Sequence, residues 1–369
     1  MAYYLPALAL CGAVGGFVLY RRYATRSRPD SSQSAADDDF DSRHYDVCDG
    51  IGDCAELNSE ETSESVRRRR SPLGDGPGLI LSEFAMQGRR KTMEDAHYVR
   101  SDPKGTVIGV WDGAAGPRGA ALGRFLLTEA TFRALRDAPA ASAEPVLRDF
   151  LAASERDILA AAKRGKWNDA STVVLARIGA ETLDCGWVGD SRCVVGLRRA
   201  SSAGRPAGVE GVALTRDHNA AEAAEAARIR KRGGHVGRNE REARAGTAAR
   251  LFARVAPASL VHGVKSTNPP RVYPGGITLT RCLGGLSLKR AARQLVTADA
   301  EFSRRELDGT EAFCIVACDG VWCVFDEQQA CEIVHHCGDA SQAARALCEA
   351  AHEKGSGDNI SAVVVSWPS

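Results

Sequence analysis

The residues best able to support chemistry are acids that lie far apart along the chain, each beside a glycine, an asparagine or a second acid. They are Glu94, Asp95, Asp112, Asp319 and Asp358. Apolar runs end just before Asp112 and Asp319, and another begins two residues after Asp358. Because acids at strand ends can converge on one edge of a sheet, we expect a cluster of carboxylate oxygens. Such hard ligands suit Mg²⁺ or Mn²⁺ better than Zn²⁺. Two such ions can bind a phosphate and activate a water molecule near neutral pH.

Short strands and helices alternate from residue 79 onward, and they must position these acids. Apolar runs predict strands at 107–111, 172–178, 183–188, 192–197, 312–318 and 360–365. Helical periodicity predicts helices at 119–136, 145–163, 220–231, 326–336 and 340–354. Neighbouring strands such as 172–178 and 183–188 resemble hairpins. We therefore expect an α+β fold with antiparallel sheets and helices outside them.

The acids belong to short motifs that follow one another along the chain. These motifs cover residues 88–97, 110–113, 171–174, 187–192, 214–218, 280–284, 317–322 and 358–361. A single Asp-Gly pair is usually a turn, but the ordered set resembles the metal-dependent type 2C (PPM-type) protein serine/threonine phosphatases. The resemblance runs from about residue 79 to the end of the chain. It implies two central antiparallel β-sheets flanked by helices, with metal ions at one rim of the sheets.

The resemblance also implies a set of metal ligands. Asp112 would bridge two Mg²⁺ or Mn²⁺ ions. Asp319 and Asp358 would complete the protein ligands of one ion, while Glu94 and the carbonyl of Gly113 would hold the other. Waters would fill the remaining octahedral positions.

Further roles follow from the same resemblance. Arg90 would bind the phosphate, since a planar guanidinium offers two donors to its oxygens. Asp95 would orient the ligands or a metal-bound water. Asp190 is expected to serve a third, weaker ion, and Thr172 to lie close to the bound substrate.

Three positions depart from the family pattern. Ala114 stands where the family usually has a histidine that acts as general acid, a loss that typically costs about 10²- to 10⁴-fold in rate. Cys323 and Gly285 each stand where the family usually has aspartate. His97, Lys91 or a metal-bound water could replace the missing acid.

Two functions therefore remain open at this point. The first is an enzyme, a metal-dependent serine/threonine phosphatase that acts on phosphoproteins with reduced or specialised activity. The alternative is a pseudophosphatase, a binding module that recognises phosphoproteins without turnover. Retention of the core metal ligands favours the enzyme, whereas the loss of the general acid favours the binding module.

Composition narrows the range of partners. The 369 residues carry a formal net charge of +1, which argues against a nucleic-acid binder. Twelve cysteines are present without a Cys-x-x-Cys pair, so we expect reduced thiols rather than disulfides or a zinc site. We expect a monomer whose partner is a phosphoprotein substrate.

The first 78 residues differ in composition from the rest. Residues 2–20 carry no charged side chain, and four arginines follow within residues 21–28. This order predicts an N-terminal membrane signal-anchor at 1–23, a disordered tether at 24–78 and a phosphatase-like domain at 79–369. The protein would then be a single-pass membrane protein with that domain facing the cytoplasm. A cleaved signal peptide and a weakly inserted segment are the alternatives.

Residues 237–276 form an Arg- and Ala-rich insert within the domain. In the family this region is a flap beside the catalytic cleft. The insert is expected either to select substrates or partners, or to be an elaborated surface loop.

Overall fold

The strands at the centre of the sheets are built from apolar runs, and several of them are fully buried. The computed structural model describes residues 69–71, 78–139, 143–201, 207–239, 269–290 and 294–368. Within these ranges the strands are β1 Arg69–Ser71, β2 Leu79–Met86, β3 Ala96–Asp102, β4 Gly105–Trp111, β5 Gly113–Ala114, β6 Ala170–Ser171, β7 Val173–Ile178, β8 Thr182–Val188, β9 Arg192–Arg199, β10 Gly208–Ala213, β11 His235–Gly237, β12 Arg271–Tyr273, β13 Leu283–Gly284, β14 Glu301–Glu306, β15 Glu311–Ala317 and β16 Ile360–Ser366.

The helices lie between these strands in the chain. They are α1 Arg118–Phe125, α2 Glu129–Asp137, α3 Ala143–Gly165, α4 Ala223–Lys231, α5 Leu286–Arg290, α6 Asp319–Trp322, α7 Glu327–His336 and α8 Ala343–Glu353, with a 3₁₀ turn at Ala340–Gln342.

Two large antiparallel sheets form the centre of the fold. One has six strands in the order β1-β2-β16-β15-β9-β10, and the other has five in the order β14-β8-β7-β4-β3. Side chains such as Val110, Val174 and Val316 fill the space between the sheets. This architecture confirms the predicted α+β fold with two central antiparallel sheets.

Helices cover the outer face of each sheet. Phe132 of α2 and Leu147 of α3 pack with Val107 and Leu175 on the five-stranded sheet. Val334 of α7 and Leu347 of α8 pack on the six-stranded sheet in the same way. Since successive strand residues point to opposite faces, β4, β9 and β15 can contribute to two cores at once.

The strand ends that carry the acids lie at one rim of the two packed sheets. The end of β15 lies beside the starts of β9 and β16, because Ala317 is paired with both Arg192 and Ala362. In the other sheet, the end of β4 lies beside the start of β7, where Val110 pairs with Val174. The antiparallel register therefore brings chain positions more than two hundred residues apart to the same rim.

The predicted helix 119–136 proves to be two helices. α1 ends at Phe125, and Thr128 begins α2 as its N-cap, with its hydroxyl accepting a hydrogen bond from the N–H of Thr131. A threonine cap satisfies one of the free N–H groups at a helix start. Other boundaries differ from the prediction by a few residues, as in α4, which begins at Ala223 rather than at residue 220.

The expected membrane localisation needs correction. Across the described ranges, no helix combines the length and the apolar character that crossing a bilayer requires. The longest of them, α3 with 23 residues, carries charged side chains such as Arg148, Asp149 and Arg156. This finding contradicts the prediction of a single-pass membrane protein with its domain facing the cytoplasm. The predicted anchor itself, residues 1–23, lies outside the described residues.

The predicted tether and flap insert are described only in part. Arg69–Ser71, within the expected tether, forms the edge strand β1 against β2. Two short strands, β11 at the start of the insert and β12 near its end, pair with each other in an antiparallel arrangement. Residues 240–268 of the insert lie outside the described residues.

Candidate metal centre

Three aspartates meet at the rim where the two sheets come together. Carboxylate oxygens of Asp112, Asp190 and Asp319 all lie within 4.8 Å of one another. Asp112 directly follows β4, Asp190 lies between β8 and β9, and Asp319 begins α6 after β15. The prediction that acids at strand ends converge is therefore met for Asp112 and Asp319, and Asp190 joins them.

The electrostatics of this cluster suit a cation. Burial raises the pKa of Asp112 well above its usual value, and the nearby carboxylates of Asp319, Asp95 and Asp190 raise it further. Ionised carboxylates this close repel one another unless a positive charge lies between them. An all-oxygen donor set of this kind fits Mg²⁺ or Mn²⁺. The residues present therefore fit the expected metal.

Arg90 and Asp358 form an ion pair at the mouth of the cluster. An Nη of Arg90 lies 2.6 Å from Oδ2 of Asp358, and the arginine side chain is 55% exposed. Burial and the charge of Asp319 raise the pKa of Asp358, and the Arg90 guanidinium opposes them. The guanidinium thus reaches the carboxylate cluster from the solvent side, where an incoming phosphate would arrive.

Glu94 and Gly113 lie against each other on the other side of Asp112. A Cβ on residue 113 would lie 2.3 Å from the carbonyl oxygen of Glu94, so only glycine fits there. The Glu94 carboxylate accepts hydrogen bonds from the Thr92 hydroxyl at 2.9 Å and from the Gly116 N–H at 3.1 Å. Glu94 stands outside the close group of three aspartates among the described residues, and it packs against Gly113, with which it was predicted to share an ion.

Asp95 is buried behind the cluster. Burial raises its pKa to about 7, although a hydrogen bond from the Ser361 hydroxyl, at 2.7 Å, works in the opposite direction. Ser361 belongs to a recognised motif but received no predicted role. Its position shows that it holds the Asp95 carboxylate.

Thr172 holds the backbone of Asp112. Its N–H donates to the Asp112 carbonyl at 2.9 Å, and its hydroxyl accepts from the Asp112 N–H at 3.2 Å. The hydroxyl also shares a 2.7 Å hydrogen bond with Ser191. Since Thr172 is only 1% exposed, its geometry suits positioning of Asp112 better than contact with a substrate.

Asn359 organises the loop that carries both Arg90 and Glu94. Its Nδ2 donates to the carbonyls of Gln87, at 2.8 Å, and Thr92, at 2.9 Å, and its Oδ1 accepts from the Glu94 N–H at 2.9 Å. No role was predicted for Asn359 from the sequence. Its position next to Asp358 within a recognised motif is the signal that could have found it.

His218 supports the turn before Asp190. Burial lowers the pKa of His218 to about 4, so the imidazole is neutral near pH 7. Its Nδ1 accepts a 3.2 Å hydrogen bond from the Gly189 N–H, and the backbone N–H of His218 donates to the Gly189 carbonyl at 2.9 Å. Gly189 has a φ of 115°, and a Cβ there would lie 2.5 Å from Thr172. A neutral histidine and a glycine together fix the turn that presents Asp190.

The three departures from the family pattern have different surroundings. Ala114 packs with Ala170 in a small apolar cluster and brings no proton donor. The Cys323 thiol lies 3.5 Å from the Ser356 hydroxyl. Gly285 has a φ of 65°, a conformation that glycine adopts without strain.

The structure also describes His97 and Lys91, the two residues predicted as possible replacements for the general acid. Nε2 of His97 lies 3.6 Å from a carboxylate oxygen of Glu83, which is on β2 of the other large sheet. Lys91 is exposed and has no hydrogen bond or ion pair with a described residue. Neither residue is shown to place a proton donor at the position of Ala114.

Comparison with known proteins agrees with this geometry. The family model "Protein phosphatase 2C" matches residues 80–360. Rice "Probable protein phosphatase 2C 52" is 29% identical over 295 residues, which are 78% of this chain and 50% of the rice protein. "Probable protein phosphatase 2C 69" of Arabidopsis thaliana is 29% identical over 289 residues, 76% of this chain and 68% of that protein. The aligned part thus spans half the length of the rice relative and about two thirds of the Arabidopsis one.

A solved structure has a similar fold. The crystal structure of serine-threonine phosphatase 2C from Toxoplasma gondii superposes with a TM-score of 0.58 at 21% identity, covering 82% of this chain and 99% of that one. At this identity the likeness concerns the fold alone. The family match over most of the chain, the ordered motifs and the clustered aspartates together show that this chain belongs to the protein phosphatase 2C family.

Proposed function

We propose that this chain is a metal-dependent protein serine/threonine phosphatase that hydrolyses phosphoserine and phosphothreonine in proteins with two Mg²⁺ or Mn²⁺ ions. The observation that carries the proposal is the meeting of Asp112, Asp190 and Asp319 within 4.8 Å, with Arg90 reaching the neighbouring Asp358. The named activity of the relatives supports the same reaction class.

The carboxylates would hold the ions. Asp112 would bridge the two, Asp319 and Asp358 would bind one of them, and Glu94 with the Gly113 carbonyl would bind the other. Asp190 lies close enough to Asp112 and Asp319 to join the same group or to hold an accessory ion. When bound, the ions neutralise phosphate charge and lower the pKa of a coordinated water.

Arg90 would bind and orient the phosphoryl group. One of its terminal nitrogens is hydrogen-bonded to Asp358, and more than half of the side chain is exposed. The remaining donors can reach a phosphate oxygen, for which the planar guanidinium is well suited. Because the bound phosphate is held at a fixed point, much of the entropy cost of orienting it is met when the substrate binds and not in the chemical step.

Proton delivery to the leaving group is the weak step. Ala114 occupies the usual position of the acid and offers no proton. A phenolate leaves without protonation, whereas a serine alkoxide is far more basic and needs it. We therefore propose an enzyme whose rate depends strongly on the leaving group.

The pseudophosphatase alternative is not favoured. Several carboxylates held together at one buried rim cost free energy, because each raises the pKa of its neighbours. A module that only binds phosphoproteins would need Arg90 but not this cluster. The retained acids thus support turnover.

Turnover by the full chain tests the proposal. With Mn²⁺ present, the protein should hydrolyse an aryl phosphate, and Asp319→Asn should reduce the rate by at least about 100-fold, the range typical for loss of one essential group. Asp149→Asn is the matched control, since Asp149 is an exposed acid on α3. Aryl phosphate hydrolysis that persists in Asp319→Asn, or is absent from the wild type with metal bound, would contradict the proposal.

A further inference from the structure

Three consecutive cationic residues lie exposed at the mouth of the candidate metal centre. Arg89, Arg90 and Lys91 follow the end of β2, and all three are exposed. Arg90 reaches Asp358, so its two neighbours stand beside the point where a phosphoryl group would bind. We call residues 88–92 the basic loop. The whole chain carries a net charge of only +1, so this cluster is not a consequence of general basicity.

The basic loop is held in place by hydrogen bonds at both ends. Asn359 donates to the carbonyls of Gln87 and Thr92, and the Gln87 side chain donates to the Arg90 carbonyl at 2.9 Å. Gly88 has a φ of 59°, and a Cβ there would lie 2.1 Å from the Asp358 carbonyl oxygen. The backbone that carries the cations is therefore packed directly against the segment that carries a metal ligand.

The two outer cations of the loop lack acidic partners among the described residues. Arg90 is paired with Asp358. Among the described residues, Arg89 reaches only the carbonyl of His352, at 3.5 Å, near the end of α8, and Lys91 makes no hydrogen bond or ion pair with any of them. Two unpaired charges on a fixed loop attract anionic groups and repel cationic ones.

The position of these charges determines which anionic group they would meet. A substrate bound through its phosphoryl group at Arg90 places its neighbouring residues along the rim, where consecutive Cα atoms are about 3.8 Å apart. Arg and Lys side chains are long enough to reach the side chains of residues one or two positions away. The metal-binding acids below the rim do not oppose this contact once their charges are matched by cations.

We propose that Arg89 and Lys91 select phosphoproteins that carry acidic side chains within about two residues of the phosphorylated one. This inference rests on the proposed function and names its substrate class. Exposed charge pairs are individually weak, so each cation should change the preference by about two- to fivefold. The preference should also decrease as ionic strength rises, because salt screens exposed charges.

Two phosphopeptides with the same phosphoserine test the proposal on the full chain with Mn²⁺. One carries Glu and Asp at the two positions on each side, and the other carries the isosteric Gln and Asn. The leaving group is the same in both, so the missing general acid cancels in the ratio of their kcat/KM values. Binding of the same peptides, measured by fluorescence anisotropy, gives the corresponding ratio of Kd values where peptide turnover is slow.

Two variants and one control locate the effect. Lys91→Gln and Arg89→Gln should each lower the ratio by about two- to fivefold, and the double variant should bring it close to one. Lys104→Gln is the matched control. Lys104 is 71% exposed and precedes β4, so it lies about 26 Å along the strand from Asp112. Its substitution removes the same charge and should leave the ratio unchanged.

The possible results distinguish the preference for acidic substrates from the proposed phosphatase function. A wild-type ratio near one, or a ratio that survives in the double variant, would overturn the selection of acidic substrates while leaving the phosphatase function intact. An equal drop in Lys104→Gln would assign the effect to overall charge and would also overturn it. Failure to hydrolyse aryl phosphate or either peptide would instead count against the proposed function, while the ratio of Kd values would still decide the preference.

Discussion

The side chain of Asn359 holds the backbone of Glu94: its Oδ1 accepts the Glu94 N–H at 2.9 Å. These two residues are 265 positions apart in the chain. Glu94 lies in the connection between β2 and β3, and Asn359 lies just before β16. The same side chain binds the carbonyls of Gln87 and Thr92, so one buried amide fixes the loop that bears Arg90. Asp358, the adjacent residue, contacts that same arginine. Glu94, a proposed metal ligand, and Arg90, the proposed phosphate-binding residue, are thus both held by the short segment Asp358–Asn359.

We predict that Asn359→Ala loosens this loop without removing a ligand. Three partly buried backbone groups would lose a hydrogen-bond partner, which should cost about 2 kcal/mol of unfolding free energy. The KM for an aryl phosphate should rise as Arg90 becomes mobile, and Mn²⁺ should bind more weakly. Thermal melting, kinetics and calorimetry provide the three readouts. A variant with wild-type melting temperature and wild-type KM would show that Asn359 does not position the loop.

We predict that Ala114→His changes the leaving-group dependence. The wild type should hydrolyse aryl phosphate measurably, while phosphoserine peptide lags behind. The new imidazole should raise peptide turnover more than aryl turnover, by about tenfold or above, because only the alkoxide needs a proton. Ala114→Gln is the matched control, since it adds bulk and hydrogen-bonding capacity without a titrating proton. Equal gains on both substrates, or the same gain in the control, would rule out restored acid catalysis.

We predict that Glu225 makes the domain sensitive to acid. Burial alone would raise its pKa, but hydrogen bonds from Arg281, Arg228 and Thr280 outweigh burial and hold the pKa well below 4.5. The carboxylate therefore contributes stability that is present above pH 4.5 and is lost as the pH falls below that value. Glu225→Gln removes the carboxylate that pairs with the half-buried Arg228 and the buried Arg281, although Arg281 keeps Glu301, and should cost about 3 kcal/mol near pH 7.

The control for that prediction is Glu349→Gln. Glu349 forms an exposed pair with Arg345 on α8, and such pairs contribute little to stability. Chemical denaturation at pH 7, 4 and 3 should show wild-type stability that falls below pH 4.5 and a flatter curve for Glu225→Gln. If both variants follow the wild type at every pH, the ion pairs of Glu225 do not stabilise the fold.

Much of the sheet framework could be predicted because buried strands are marked by continuous apolar runs. The stretches that became β4, β15 and β16 were recognised in this way, and their ends gave the positions of Asp112, Asp319 and Asp358. Other strands were not recognised. β3, for instance, contains Arg100 and Ser101 and is only partly buried, so its composition does not differ from that of a loop.

Other features depend on contacts that sequence spacing does not reveal. The break between α1 and α2 rests on the hydroxyl of Thr128, while the helical periodicity continues across it. Asp190 joins Asp112 and Asp319 because the antiparallel register sets β8 and β9 beside strands from elsewhere in the chain. The roles of Asn359 and His218 likewise depend on backbone groups that come close only in the folded chain.

Calorimetric titration of Mn²⁺ into the metal-free full chain tests the central claim most directly. The wild type should bind the ion, whereas Asp112→Asn, which removes the charge of the proposed bridging ligand and keeps its shape, should lose that binding. The same substitution should raise the melting temperature of the metal-free protein, because it relieves repulsion with Asp319 and Asp190. Asp149→Asn on α3 should behave as the wild type in both measurements. Undiminished Mn²⁺ binding by Asp112→Asn would contradict the account.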